Sequence, residues 1–191
     1  MNLILLFLSA AIVNNFVMTR FLGICSFIGV SKKLESSVSM GIAVAFVLTL
    51  SSAVTHMIYT QVLVRAGLEY LHIIAFILII AALVQAVEIF LRKVSPTLHS
   101  SLGVYLPLIS TNCAIIGAVL INMNENFTFF QSVIHAAGAG VGYLIAIVVF
   151  AGIRERIERC NVPKAFKGFP IALISAGLMS IAFLGFAGLI Q

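Results

Sequence analysis

The feature that most limits what this chain can become is a repeated one. Apolar runs long enough to cross a bilayer alternate with polar stretches too short to form a domain of their own. The runs are Asn2 to Leu22, with an irregular extension through Val30, then Val38 to Tyr59, Tyr70 to Leu91, Ser101 to Ile121, Phe129 to Ile153 and Phe169 to Ile190. A helix needs roughly 20 mainly apolar residues to span a bilayer. In hydrocarbon the backbone must satisfy its own hydrogen bonds, which favours helices over irregular chain. The fold class that follows is an all-α integral membrane protein with six transmembrane helices. With 62% hydrophobic and 9% charged residues, an ordinary water-soluble domain is excluded. The opening "MNLILLFLSAAIV" lacks a basic leader and a small-residue cleavage site, so it reads as a retained first span.

Charge then orients the spans. Lys32 and Lys33, Arg92 and Lys93, and Arg154, Arg156, Arg159, Lys164 and Lys167 fall in the first, third and fifth loops, whereas Arg65 stands alone in the loops of the other side. By the positive-inside rule the basic loops are cytoplasmic and both termini lie outside. This distribution, rather than nucleic-acid binding, accounts for the net charge of +5. Positive-inside bias accounts for the fifth loop's cations, the alternative being a docking surface for anionic lipid or an acidic partner. Three cysteines, two of them inside apolar runs, make no disulfide framework. A glycine-rich fingerprint after a strand is missing, so neither a nucleotide nor a flavin site is expected on the chain.

Two short stretches resemble each other across the halves. "CSFIG" begins at Cys25 and "CAIIG" at Cys113, and later "IAFILIIAAL", from Ile74, resembles "IALISAGLMS", from Ile171. Three spans per half is an odd number, so the second half enters from the opposite side. The reading is two inverted three-helix repeats, residues 1–98 and 99–191, in one membrane domain with no soluble part. Gly23 and Gly29 bracket Cys25, and Pro107 and Gly117 bracket Cys113, so discontinuous helices are expected around both cysteines. Asn14, Asn15, Thr111 and Asn112 supply polar groups for the freed backbone. Either cysteine alone reads as buried packing. The pair, related by the repeat, points to a shared ligand role, either half of a four-cysteine iron–sulfur site or a linear soft-metal site.

Other residues carry weaker signals. Glu88 lies within a span, four residues before Arg92, the spacing of a same-face ion pair, with a cation path as the alternative. Arg20 either supports an anionic site electrostatically or snorkels to the cytoplasmic surface. His56 and His135, near the outer ends of their spans, read as snorkelling or capped. Cys160, in a basic loop without a repeat partner, reads as an ordinary thiol. The run "AAGAGVG", from Ala136, reads as a close helix approach.

The segments "VNNFVMTRFLGICSFIGVSKKLE", "LPLISTNCAIIGA" and "KGFPIALISAGLMSIAFLGFAGL" resemble the A subunits of the Rnf complex, the ferredoxin:NAD oxidoreductase of bacterial membranes. They are also similar to the related membrane subunits of the sodium-pumping NADH:quinone oxidoreductase. The resemblance covers nearly the whole chain. It implies a place in the bacterial cytoplasmic (inner) membrane, beside the B, C, D and G subunits. It also implies pairing with a homologous E subunit of inverted topology, each partner giving two cysteines to one [2Fe-2S] cluster. Cys25 and Cys113 match the ligand motifs. Electrons from ferredoxin would cross the membrane there and return through flavins to NAD, coupled to export of Na+ or H+. The chain alone would be a non-autonomous part of that enzyme. The rival classes are a secondary transporter whose broken helices cradle a substrate, and a pure assembly factor.

Overall fold

The computed structural model describes residues 3–66, 71–94 and 106–185. Every regular element among them is helical. Helix α1, Leu3–Leu8, widens into a π-turn over Ser9–Val13, and α2, Phe16–Thr19, and α3, Ile24–Val30, follow as short pieces. Helix α4, Leu34–Ile58, continues through a π-turn to Leu63, and α5 covers His72–Val94. The second half holds α6, Leu106–Ser110, α7, Cys113–Asn124, α8, Phe129–Glu158, and α9, Phe169–Leu184. The expected starts of two spans at Tyr70 and Ser101, the end at Ile190 and the repeat boundary at 98/99 lie outside the described residues.

Three helices, Leu34–Leu63, His72–Ile89 and Phe129–Glu158, are long and apolar enough to cross a membrane, while Leu3–Val13, Leu108–Asn124 and Phe169–Leu184 are shorter apolar helices. The first expected span, Asn2 to Leu22, is therefore broken between α1 with its π-turn and α2, while α3 lies in its expected irregular extension. The cause is local: Asn15 leaves helical geometry, and its Oδ1 accepts from Val17 N at 3.1 Å, capping α2. Helix α8 runs five residues past the expected end at Ile153, because Arg154 turns inward instead of starting a loop.

Helices α4 and α8 form the centre of the molecule, running antiparallel. Lipid gives no hydrophobic drive for helices to associate, so close backbone packing must hold them together. The glycines of "AAGAGVG" provide it. A Cβ on Gly140 would stand 2.7 Å from Ala45 Cα, one on Gly138 2.7 Å from Phe7 O, and one on Gly142 2.6 Å from Ala11 O. Alternate faces of α8 thus seat α4 and α1. Helix α5 buries a stripe of Phe76, Ile80 and Val84 and exposes Ile73, Ile74, Ile77 and Leu78 on its other side.

Near the start of α8, polar side chains join it to α4 and to α7. His135 is only 6% exposed, and its Nδ1 lies 2.6 Å from Asn122 Oδ1. Asn122 Nδ2 donates to Ser52 Oγ at 2.8 Å, and Ser52 donates to Ser132 O at 3.0 Å. Of the two readings of His135, snorkelling or capped, snorkelling does not occur, because Asn122 on α7 meets it inside the bundle. His56 is half-buried, with Nδ1 3.4 Å from Ser132 Oγ.

Candidate functional site

The chain reaches the site by a detour that can be followed against α8. Phe7 and Ala11 pack on Gly138 and Gly142, and Asn15 Nδ2 donates to Gly142 O at 2.8 Å. Phe16 then steps back, its ring 5.6 Å from His135. After α2 the backbone turns again, with Phe21 at φ 56° and Gly23 at φ 85°. The left-handed region costs a residue with a Cβ roughly 1–2 kcal/mol, so glycine suits the second position. Gly23 returns to the level of Tyr143, and Phe27 stacks on Phe150 at 4.5 Å further along.

At Gly23 the two cysteine stretches meet. Gly23 N–H donates to Cys113 Sγ at 2.9 Å, and Cys25 follows two residues later in the first turn of α3. A Cβ on Gly23 would lie 3.2 Å from both Asn112 Oδ1 and Tyr143 Cε2, so the approach is tight as well as left-handed. Cys113 opens α7, whose N-cap is the buried Asn112, its Oδ1 accepting from Ala114 N at 3.0 Å. The Gly23 amide and the N-terminal end of α7 both present positive partial charge to Cys113 Sγ.

A second tier of hydrogen bonds ties the two stretches to α8. Ser26 Oγ donates to Gly23 O at 3.0 Å and accepts from Asn112 Nδ2 at 3.2 Å. It also lies 2.8 Å from the hydroxyl of Tyr143, a fully buried residue of α8. Since the one Ser26 proton goes to Gly23 O, Tyr143 is the donor to Ser26. Sequence reasoning did not select Ser26 or Tyr143. Ser26 was legible only as the neighbour of Cys25, and Tyr143 as a polar residue within a span.

The other expected site residues distribute unevenly. Gly117 accommodates Leu22, whose Cδ1 would be 2.5 Å from a Cβ there. Gly29 lies within α3 facing open space, so the break is on the Gly23 side alone. Pro107 sits in the opening turn of α6, and the second break falls at Thr111 and Asn112 instead. Proline costs a helix little in its first turn, where no intrahelical N–H bond is lost. Thr111 is exposed at that break. Asn14 is exposed and donates to Ser9 Oγ at 3.1 Å, away from the thiols. Arg20, exposed at the end of α2, is within electrostatic range of His135. Glu88 is half-buried in α5, and the side chain of Arg92 lies outside the described residues. Cys160 is exposed and donates to Arg156 O at 3.4 Å, remote from the pair.

Asn112 serves both tiers, so its replacement reads the local energetics. Asn112→Ala is expected to destabilise the chain by about 1–2 kcal/mol through the lost cap and the lost Ser26 contact. Asn112→Asp, which keeps the capping oxygen, should recover part of that. Denaturant titration of the detergent-solubilised protein, followed by circular dichroism, measures both. Equal stability of Asn112→Ala and the parent would refute the capping role.

A model of the family described as "Rnf-Nqr subunit, membrane protein" matches residues 3–190. The A subunit of the Na(+)-translocating ferredoxin:NAD(+) oxidoreductase complex of Acetobacterium woodii is 57% identical over 99% of this chain and 98% of its own length. The A subunit of the ion-translocating oxidoreductase complex of Syntrophotalea carbinolica is 52% identical, again over 99% and 98%. That of Vibrio cholerae O1 El Tor is 51% identical over 98% of this chain and 97% of its own. With the family pattern spanning nearly all of it, this chain belongs to the Rnf-Nqr family of membrane subunits.

Proposed function

We propose that this chain is the A subunit of an ion-translocating ferredoxin:NAD oxidoreductase, and that Cys25 and Cys113 hold half of a [2Fe-2S] cluster within the membrane. The observation that carries this reading is the Gly23 N–H on Cys113 Sγ, with Cys25 two residues along. Thiolate is the ligand such clusters require, and four are needed. Cys113 Sγ on the Gly23 amide, with Cys25 two residues along the chain, fits half of that set. Among the described residues no group of three or more His, Cys, Asp or Glu could hold a metal unaided. The other two ligands are assigned to a homologous partner of inverted topology. Cys25 is exposed, as a ligand reached by a second chain must be.

When bound, the cluster supplies a one-electron carrier. The chain's own residues prepare its place: Gly23 N–H and the α7 terminus offset thiolate charge, and Tyr143, Ser26 and Asn112 hold the two stretches in register. Tyr143 is midway along the 30-residue α8, about 21 Å from one end and about 22 Å from the other at ~1.5 Å per residue, which suits a carrier at mid-membrane. On this reading the short helices complete six spans in two inverted repeats, with the basic loops cytoplasmic and both termini outside. The moved ion is Na+ or H+. Glu88 remains a candidate for its path.

An affinity tag on this chain tests the assignment. The purified assembly is expected to contain a homologous membrane protein, an iron–sulfur protein and ferredoxin-dependent NAD reduction coupled to ion uptake by inverted vesicles. Recovery of the chain alone, or with partners that lack redox centres, would favour the transporter class instead.

A further inference from the structure

Arg154 belongs to the basic stretch that marks orientation, but unlike its neighbours it turns into the protein. Arg156, Arg159, Lys164 and Lys167 are exposed, whereas Arg154 is 9% exposed. Its Nη1 donates to Ile28 O at 2.7 Å and to Ser31 Oγ at 2.9 Å. The guanidinium stands 5.9 Å from the centre of the Phe150 ring, which itself stacks on Phe27 of α3. Among the described residues no carboxylate pairs with it, the one ion pair being Arg159–Glu155 on the surface. A positive charge kept out of water with neutral oxygen partners is costly. Orientation does not require that cost, since a cation at the membrane edge satisfies the positive-inside rule by snorkelling to water.

The location of the partners gives the charge a use. Ile28 and Ser31 are at the C-terminal end of α3, and the first turn of α3 carries Cys25. The last carbonyls of a helix lack intrahelical donors, and Arg154 supplies one. Ile28 is three residues from Cys25, about 4.5 Å along the axis. Cys25, Arg154 and Lys32 also line one cavity of about 460 Å³. A buried cation lining the same cavity as Cys25 is weakly screened by salt, while the exposed Lys32 is shielded by water.

We propose that Arg154 is the positioning residue of the Cys25 half-site, clamping the end of α3 and favouring the reduced state of the group that Cys25 holds. The inference rests on the reading of Cys25 and Cys113 as cluster ligands. Reduction by one electron adds a negative charge, and a fixed cation bordering the same cavity stabilises that state over the oxidised one. Removing the charge therefore makes reduction harder, whereas lysine retains it.

Redox-poised EPR titration of the purified complex tests this with Arg154→Met, Arg154→Gln and Arg154→Lys. At the potential where the parent cluster is half reduced, the reduced-to-oxidised ratio is expected to fall about tenfold in Arg154→Met, or about 59 mV for a one-electron couple. Arg154→Lys should change it less than about threefold. If Arg154→Met does not assemble, Arg154→Gln, which keeps a donor for Ile28 O without the charge, should give the same shift. An unshifted midpoint in an assembled neutral variant overturns the proposal. If only Arg154→Lys assembles, its midpoint decides: a change of more than about threefold in the ratio, with the charge retained, overturns the proposal. Cys25→Ser, titrated alongside, separates the two readings. If its spectrum is unchanged, the ligand assignment has failed. If its signal is lost while the neutral variant keeps the parent midpoint, only the role of Arg154 has failed.

Discussion

Cys25→Ser and Cys113→Ser are each expected to remove the same [2Fe-2S] signal from the EPR spectrum of the assembled complex. Iron and acid-labile sulfide should fall by one cluster's content, and ferredoxin-dependent NAD reduction should be lost. Serine nearly matches cysteine in size, and at position 113 its oxygen can still accept from Gly23 N–H. A packing role would therefore survive the change. A soft-metal role would not, because a serine hydroxyl does not replace thiolate as the ligand iron–sulfur chemistry requires. Cys160→Ser should leave signal and activity unchanged, as its thiol is exposed and bonds only to Arg156 O within its own helical turn. An intact signal in both Cys25→Ser and Cys113→Ser would return the cysteines to packing and make transport or assembly the better function.

The second large effect concerns the glycines of α8. At Gly142 a Cβ would meet Ala11 O at 2.6 Å and Ala11 Cα at 3.1 Å, and at Gly140 it would meet Ala45 Cα at 2.7 Å. These are largely backbone atoms, which cannot rotate aside, so whole helices must separate. Overpacking of this kind costs typically about 1–3 kcal/mol per site. At Gly142 the same movement stretches the Asn15 contact to Gly142 O and shifts the break that leads to Cys25. Gly140→Ala and Gly142→Ala should each lower the denaturation midpoint of the solubilised protein, and the double variant should not accumulate in membranes. Gly152→Ala and Gly177→Ala are the controls, since both positions face open space. There alanine should be neutral or stabilising by up to about 1 kcal/mol. If Gly140→Ala and Gly142→Ala both matched Gly152→Ala in stability and yield, close approach would not be what holds α4 and α1 to α8.

Much of the fold was legible because lipid makes the governing rule local. A long apolar run must close its own backbone hydrogen bonds, so helicity can be read from composition at each run. The same rule made the cysteine stretches stand out, since glycine and asparagine beside a thiol in such a run mark chain that leaves the helix. Legibility ended where identical residues meet different neighbours. Gly23 and Gly29 flank Cys25 on either side in sequence, yet Gly23 lies at φ 85° against Asn112 and Tyr143, while Gly29 is an ordinary helical residue facing outward. The detour of α2 was hidden too, because no periodicity records that Phe16 steps back to His135.

By itself, then, the sequence determined that the chain is a helical membrane protein, where the basic loops fall, and that two thiols share a motif. Those properties follow from side-chain hydropathy, charge and short-range backbone freedom. Only the tertiary structure decided that Gly23 N–H meets Cys113 Sγ from 90 residues away, and that Ser26 and Tyr143 tie the two breaks together. It alone turned Arg154 inward, away from the exposed arginines beside it. A hydrogen bond between distant segments depends on where both backbones arrive after packing, and hydropathy, summed one run at a time, carries no record of that.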